Sequence, residues 1–327
     1  MMTHMNRNSI RCTPIALALA ALSPASPVHA ETASFTKETA ENLPGYNIYR
    51  PTDLDSRNEP APVIVWANGG CVKRDTTWSN LFERWAGAGY VVVTIHDENW
   101  TMDMAAMARM RSAAGAGGQA ASLPAELSPE ARARMRELAG VQAKDATDAQ
   151  RTAIDWAFAE NAAEDGTWQG KLDTSRVVAA GNSCGGISSL NLAATEPRVK
   201  SVYVLSGSSI GPGAGREVVE PVMNKVMVPA IWIVGGPEDI ARAASDLDYS
   251  LQPEGTPGVV VYRNAFDHPK VSTDAGSLRD AAEMGLLWFR ATLDKDREAA
   301  HTLTTTVCEG CDAATWTVKA KHFGTAD

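Results

Sequence analysis

Short apolar runs rich in β-branched residues alternate with helix-type patterns along most of the chain. Several runs are apolar at consecutive positions, which is typical of strands whose two faces are both covered. Strand alternating with helix predicts an α/β fold, a doubly wound, mostly parallel sheet flanked by helices. The predicted strands are residues 46–49, 63–67, 90–95, 176–180, 199–205, 230–234 and 259–262.

The first thirty residues have the features of a signal peptide. Arg7 and Arg11 precede an apolar run at 14–22, and small residues follow up to Ala30. This pattern predicts cleavage near Ala30 and a secreted or periplasmic protein. The run is about half as long as a membrane span, so an uncleaved anchor is the weaker alternative.

Residues 31–327 are predicted to form one domain, with three segments outside the strand–helix alternation. Residues 31–44 show no periodicity and are expected to be a flexible lead-in. The segment at about 100–144 is rich in Ala, Met and Gly, which suggests either a helical lid-like insertion or a surface helical hairpin with a Met core. The tail at about 296–327 is interpreted as a Cys-containing appendage.

The charge excludes several kinds of partner. The chain carries 30 Lys and Arg against 39 Asp and Glu, a formal charge of −9. The first thirty residues hold two Arg and no acid, so their removal gives −11. No basic block remains that would bind phosphate backbones or anionic membranes, and nucleic acid is not expected as a partner.

The most informative motif is Gly181-Asn-Ser183-Cys-Gly185, which lies between a predicted strand and a helical pattern. A sharp strand-to-helix turn exposes the serine oxygen, and small residues on either side of it relieve crowding. The motif predicts Ser183 as a nucleophile, with the N–H of Cys184 as an oxyanion donor at the helix start. Cys184 as the nucleophile is the rival hypothesis, although its frame would lack the first glycine.

A serine nucleophile requires a base and an acid, which follow it along the chain in this architecture. Asp239 follows the strand at 230–234, with Glu238 as the alternative acid. His268 follows the strand at 259–262 and is the predicted base. The alternative roles are a helix cap for Asp239 and an ordinary loop imidazole for His268.

Two earlier strands end in residues that are expected to lie near the same rim. Asn68-Gly-Gly-Cys71 follows one of them, and the N–H of Gly70 or Cys71 is predicted to complete an oxyanion hole. His96 and Trp100 follow the other and are candidate pocket residues, with a surface loop as the alternative.

Four cysteines follow the predicted cleavage site, and disulfides are the default in an exported protein. The short spacing of Cys308 and Cys311 favours a local bridge, which leaves Cys71 to pair with Cys184. The alternatives are free thiols at Cys71 and Cys184, or a zinc site formed by Cys308, Cys311 and His322. No fourth zinc ligand is found nearby, so no metal is expected.

Taken together, the motifs resemble those of the α/β-hydrolase superfamily, and within it of secreted microbial esterases related to the dienelactone hydrolase, chlorophyllase and platelet-activating-factor acetylhydrolase groups. The resemblance implies a triad of Ser183, Asp239 and His268, with Cys71 and Cys184 as typical companions of the loop and the elbow. The matching segments are Tyr46-Asn-Ile-Tyr-Arg-Pro, Asn68-Gly-Gly-Cys71, Gly181-Asn-Ser-Cys-Gly-Gly186, Glu196-Pro-Arg-Val-Lys and Gly235-Gly-Pro-Glu-Asp-Ile-Ala241.

The resulting expectation is a serine hydrolase that cleaves a small-molecule or polymeric carboxylic ester without a cofactor. A peptidase, lactonase or acyltransferase with the same triad is one alternative. A non-catalytic binding protein on the same fold is another, because a fold does not determine a function.

Overall fold

The computed structural model describes residues 34–99, 129–264, 267–308, 311 and 316–323, with the backbone alone for 129–139 and 271–272. The predicted signal peptide, Trp100 and the insertion up to residue 128 lie outside the described residues. None of the described helices combines the length and the apolarity that a membrane crossing requires.

In the described residues, nine strands form one mixed sheet in the order β1-β2-β4-β3-β5-β6-β7-β8-β9. Six neighbouring strands, β4, β3, β5, β6, β7 and β8, run parallel to one another. Strands β1, β2 and β9 are antiparallel to their neighbours. The strands are β1 Phe35–Glu38, β2 Tyr46–Pro51, β3 Ala61–Ala67, β4 Val91–Ile95, β5 Leu172–Asn182, β6 Val199–Leu205, β7 Ala230–Gly235, β8 Gly258–Arg263 and β9 Trp316–Lys321.

Helices cover both faces of this sheet, which confirms the α/β class. The helices are α1 Ser79–Gly87, α2 Pro129–Ala162, α3 Cys184–Ala193, α4 Arg216–Met223, α5 Arg242–Leu251, α6 Lys270–Thr273, α7 Ala275–Leu293 and α8 Arg297–Thr305. One apolar cluster joins the sheet to α2, α3, α4 and α5, and a second joins its other face to α1, α7 and α8.

Strand β3 shows why the central strands are apolar at every position. Val63 and Val65 face one cluster, while Ile64 and Trp66 face the other. All seven residues of β3 are buried, since successive side chains point to opposite faces and each face carries helices.

Two predictions about the ends of the chain are wrong. The supposed lead-in at 31–44 contains β1, and the supposed appendage contributes β9, which pairs with β8. Both strands lie at the edges of the sheet, where most of their side chains are exposed or half-buried. Their sequences therefore lack the apolar runs that revealed the inner strands, and β9 carries Lys319 and Lys321, as is common for edge strands.

The boundary of the insertion also differs from the prediction. Helix α2 begins at Pro129, so residues 129–144, which were assigned to the insertion, are the first part of a 34-residue helix that continues to Ala162. The second part of α2 packs Ile154 and Ala157 against the sheet.

Candidate active site

The candidate residues meet at the carboxyl edge of the sheet, because they follow parallel strands. Ser183 follows β5, the Asn68–Cys71 turn follows β3, Asp239 comes after β7 and His268 comes after β8. This edge is where open α/β sheets place their ligand sites.

The turn at Ser183 is strained. Its φ of 51° and ψ of −114° lie outside the regions that side-chain-bearing residues prefer, and its N–H donates to Leu205 O at 3.0 Å. The glycines around it have no room for a side chain: a Cβ on Gly181 would lie 2.3 Å from Gly185 O, and one on Gly185 would lie 1.9 Å from Ala67 O. The motif is therefore required by the packing of β5, α3 and β3.

We expect Gly185→Ala to lower the free energy of unfolding by about 3 kcal/mol or more, since the overlap is with backbone atoms that cannot rotate away. Gly140→Ala in α2 is the matched control, because a Cβ there meets no atom within 4 Å. The control should be neutral or stabilising by roughly 0.5–1 kcal/mol. Urea denaturation of both variants measures the difference, and equal stabilities would contradict the packing argument.

Ser183, His268 and Asp239 form a chain of hydrogen-bond contacts. His268 Nε2 lies 2.9 Å from Ser183 Oγ, and His268 Nδ1 lies 3.0 Å from Asp239 Oδ1. The carboxylate accepts a proton from Nδ1 when that nitrogen is protonated, which leaves Nε2 free to accept the serine proton. The three residues predicted from the sequence thus lie together, with His268 in contact with both Ser183 and Asp239.

Asp239 is buried, and its carboxylate is the acceptor in every hydrogen bond that it makes. Oδ2 accepts from Gly235 N–H at 2.8 Å and from the Ser206 hydroxyl at 2.9 Å, while Oδ1 also accepts from Ala241 N–H at 2.9 Å. Burial alone would raise the pKa of Asp239, but His268 and these backbone donors outweigh it and hold the pKa below its usual value. Asp239 therefore remains ionised at neutral pH.

The alternative acid, Glu238, is exposed and makes no contact with His268 among the described residues. The contact of Asp239 with Ala241 N–H resembles a helix cap, yet α5 begins only at Arg242, and the other oxygen binds Ser206 and Gly235. The structure therefore places Asp239, rather than Glu238, beside the imidazole.

Cys71 and Cys184 form a disulfide with their Cα atoms 5.3 Å apart, which joins the β3 turn to the residue after Ser183. Gly70 and Cys71 have φ values of 63° and 51°. The Cys71 N–H donates to Asn68 O at 3.1 Å. Among the described residues, no acceptor is found for the N–H groups of Gly70 and Cys184, so Gly70 rather than Cys71 has a free N–H to act as the second donor.

His96 does not join the Ser183 group. Its Nδ1 lies 2.6 Å from Oδ1 of Asp75, a fully buried carboxylate that the sequence reading overlooked. Asp75 also accepts from Asn47 Nδ2 at 2.8 Å and from the Tyr49 hydroxyl at 3.0 Å. These contacts connect β2, the segment before α1 and the end of β4, and they indicate a structural role for His96.

The second predicted bridge, Cys308–Cys311, is also present, with a Cα separation of 5.2 Å. The sequence alternative was a zinc site that included His322. Among the described residues, the potential metal ligand that lies within 4.8 Å of both sulfur atoms is a carboxylate oxygen of Asp280, and His322 is not part of this group. As both sulfur atoms are engaged in the bridge, they are not available as thiolate ligands.

The loop after β6 is a further part of the site that the sequence analysis missed. Ser206 has a φ of 43° and donates to Asp239. Ser209 donates its N–H and its hydroxyl to Asp248, each at 2.6 Å, and Ser245 Oγ donates to Gly207 O at 2.7 Å. Helix α5 therefore holds the loop that supports the acid. The run Ser206-Gly-Ser-Ser209 directly after a strand was the available signal.

Asp248 predicts a pH dependence of stability. Burial raises its pKa from 3.8 to about 7, although the hydrogen bonds from Ser209 lower it in part. The folded protein therefore binds more protons at Asp248 than the unfolded chain between about pH 4 and 7, and stability falls as pH rises through this window. We expect Asp248→Asn, which mimics the neutral acid, to reduce this slope in urea titrations from pH 5 to 8; identical slopes would contradict the assignment.

A scan against protein-family models and a search of curated proteins both found no match to this chain.

Proposed function

We propose that the protein is an exported serine hydrolase of the α/β-hydrolase type that cleaves carboxylic esters through an acyl-enzyme. The observation that carries the proposal is the contact chain from Ser183 Oγ through His268 to the buried Asp239, at 2.9 and 3.0 Å. A nucleophile, a base and an orienting acid in this geometry define the catalytic triad of acyl-transfer enzymes.

In the proposed reaction, Ser183 Oγ attacks the acyl carbon while its proton passes to His268 Nε2. Asp239 holds the ring and stabilises the imidazolium that forms. The imidazolium then protonates the leaving alcohol, and the acyl group remains on Ser183. Water, deprotonated by His268, releases the acid and restores the serine.

The N–H groups of Gly70 and Cys184 are the proposed oxyanion donors. They belong to the two segments joined by the Cys71–Cys184 disulfide, and Cys184 is also the first residue of α3, whose positive end favours a developing negative charge. A pair of fixed donors lowers the barrier because no solvent must reorganise as charge develops.

The same proposal covers export, domain organisation and substrate charge. A signal peptide cleaved near Ala30 is supported by two disulfides, which persist in oxidising compartments. Residues 31–327 form one catalytic domain. The charge of −11 after cleavage favours an uncharged ester over an anionic one.

The proposal is tested by the turnover of three substrate types whose acyl parts have the same number of carbons: an activated ester, an anilide and a lactone. We expect the ester to be hydrolysed fastest. A preference for the anilide would indicate a peptidase, and a preference for the lactone would indicate a lactonase. No turnover of any activated ester by folded protein would favour the non-catalytic alternative and overturn the proposal.

A further inference from the structure

A cavity of about 170 Å³ lies between the carboxyl ends of β3 and β4 and the helix α2. Neither Ser183 nor His268 lines it. Its volume is close to the roughly 150 Å³ of an engineered apolar cavity that binds benzene, so it has room for one hydrocarbon group of moderate size.

The walls of this cavity are mainly apolar. They include Tyr46, Trp66, Ala67, Val93, Ile95 and Ala149. Two buried amides also line it, but their polar atoms are used within the fold. Gln150 Nε2 donates to Val65 O at 3.0 Å and Ala180 O at 3.1 Å, and Asn68 Nδ2 donates to Val72 O at 3.1 Å.

The acceptor atoms of these amides are engaged too: Gln150 Oε1 accepts from Ser188 Oγ at 3.0 Å, and Asn68 Oδ1 accepts from Trp66 Nε1 at 3.0 Å. The interior therefore has little to offer a polar ligand, and burial of an unpaired polar group there would be unfavourable.

The rim of the cavity differs from its interior. Lys73, Gln142 and Asp145 line the cavity and are exposed, so they mark its opening to solvent. The opposite charges of Lys73 and Asp145 favour neither an anionic nor a cationic ligand. This combination fits the hydrocarbon end of an uncharged molecule whose polar part stays outside.

The cavity adjoins the candidate active site through the β3 turn. Gly70 and Cys71 line it, and Cys71 is bridged to Cys184, the neighbour of Ser183. With a Cα separation of 5.3 Å across the bridge and about 3.8 Å between consecutive Cα atoms, Cys71 Cα lies at most ~9 Å from Ser183 Cα. An extended acyl chain advances about 1.3 Å per C–C bond, so roughly eight carbons span this maximum distance and about six carbons reach roughly 6 Å.

We infer that this cavity binds the hydrocarbon end of a medium-chain acyl group, of roughly six to eight carbons, whose carbonyl lies at Ser183 and the Gly70 N–H. The inference rests on the proposed function. The acyl side is favoured over the alcohol side because the alcohol must leave next to His268 Nε2, which does not line the cavity.

The inference is tested with 4-nitrophenyl esters of two to twelve acyl carbons. In the wild type we expect kcat/KM to rise up to about eight carbons and then to level off or fall. Ala146→Leu and Ala149→Leu fill the cavity from α2, and each should lower the ratio of kcat/KM for the eight-carbon ester to that for the acetate by roughly tenfold or more, since each excluded methylene is worth about fourfold. Ala159→Leu, an exposed position on the same helix, is the matched control and should keep the wild-type ratio.

Binding of octanamide, measured by calorimetry, gives a readout that does not depend on turnover. Octanamide should bind the wild type and the Ala159→Leu control, and bind at least tenfold more weakly to either cavity variant. Acetate hydrolysis without chain-length dependence, together with equal octanamide binding in all variants, would overturn the cavity assignment and leave the proposed function standing. Octanamide binding that the cavity variants lose, with no ester turned over, would support the cavity and overturn the function. Chain-length dependence in a series of acetate esters whose alcohol part increases in length, without dependence in the acyl series, would also overturn the assignment.

Discussion

Asp239→Asn should lower kcat for an activated ester by roughly 10⁴-fold. Four groups donate hydrogen bonds to the carboxylate. They are the N–H groups of Gly235 and Ala241, the Ser206 hydroxyl and, in the catalytically competent tautomer, His268 Nδ1. An asparagine would direct an NH₂ group at two of these donors. The imidazole would then be held in the wrong tautomer, with its proton on Nε2 and no acceptor for the proton of Ser183.

Glu238→Gln is the matched control for this prediction. The residue is adjacent in sequence, carries the same charge and was the alternative acid, but it is exposed. We expect its kcat to remain within about twofold of the wild type, as is usual for surface substitutions away from a site. A large loss in Glu238→Gln with an active Asp239→Asn would reverse the assignment of the acid.

Removal of the Cys71–Cys184 bridge should cause the largest loss of stability among the variants considered. The two residues are separated by 113 positions, and the chain-entropy model gives about 5 kcal/mol for a loop of that length. The double variant Cys71→Ala/Cys184→Ala should therefore unfold at a much lower urea concentration. Activity should also fall, because the turn that carries Gly70 loses its connection to the elbow.

The second bridge provides a comparison within the same chain. Cys308 and Cys311 are only three positions apart, for which the same model gives about 2 kcal/mol. The Cys308→Ala/Cys311→Ala variant should retain activity and lose less than half as much stability. Equal losses in the two double variants would show that loop length does not determine the contribution of these bridges.

The parts of the fold that the sequence predicted are those in which burial on both faces imposes apolar runs. All seven predicted strands are present, because strands such as β3 and β6 need a hydrophobic residue at nearly every position. The edge strands β1 and β9 were missed for the opposite reason. Their side chains are mostly in contact with solvent, so their sequences resemble those of loops.

The positions of Ser183, Asp239 and His268 were predictable because each follows a strand, and parallel strands bring their carboxyl ends to one edge. The support around them was not predictable in the same way. Ser206 reaches Asp239 since β6 neighbours β7, and Asp248 reaches Ser209 from a helix 39 residues away in sequence. Such contacts depend on the assembled layers rather than on any local pattern. The cavity beside Gly70 is likewise formed by α2, β3 and β4 together.

The most direct test of the proposed chemistry is covalent labelling with a fluorophosphonate followed by peptide mass spectrometry. We expect one probe molecule per chain on the peptide that contains Ser183, with no labelling of Ser183→Ala. Folded wild-type protein that remains unlabelled, or a Ser183→Ala variant that still hydrolyses esters at the wild-type rate, would contradict the assignment of Ser183 as the nucleophile.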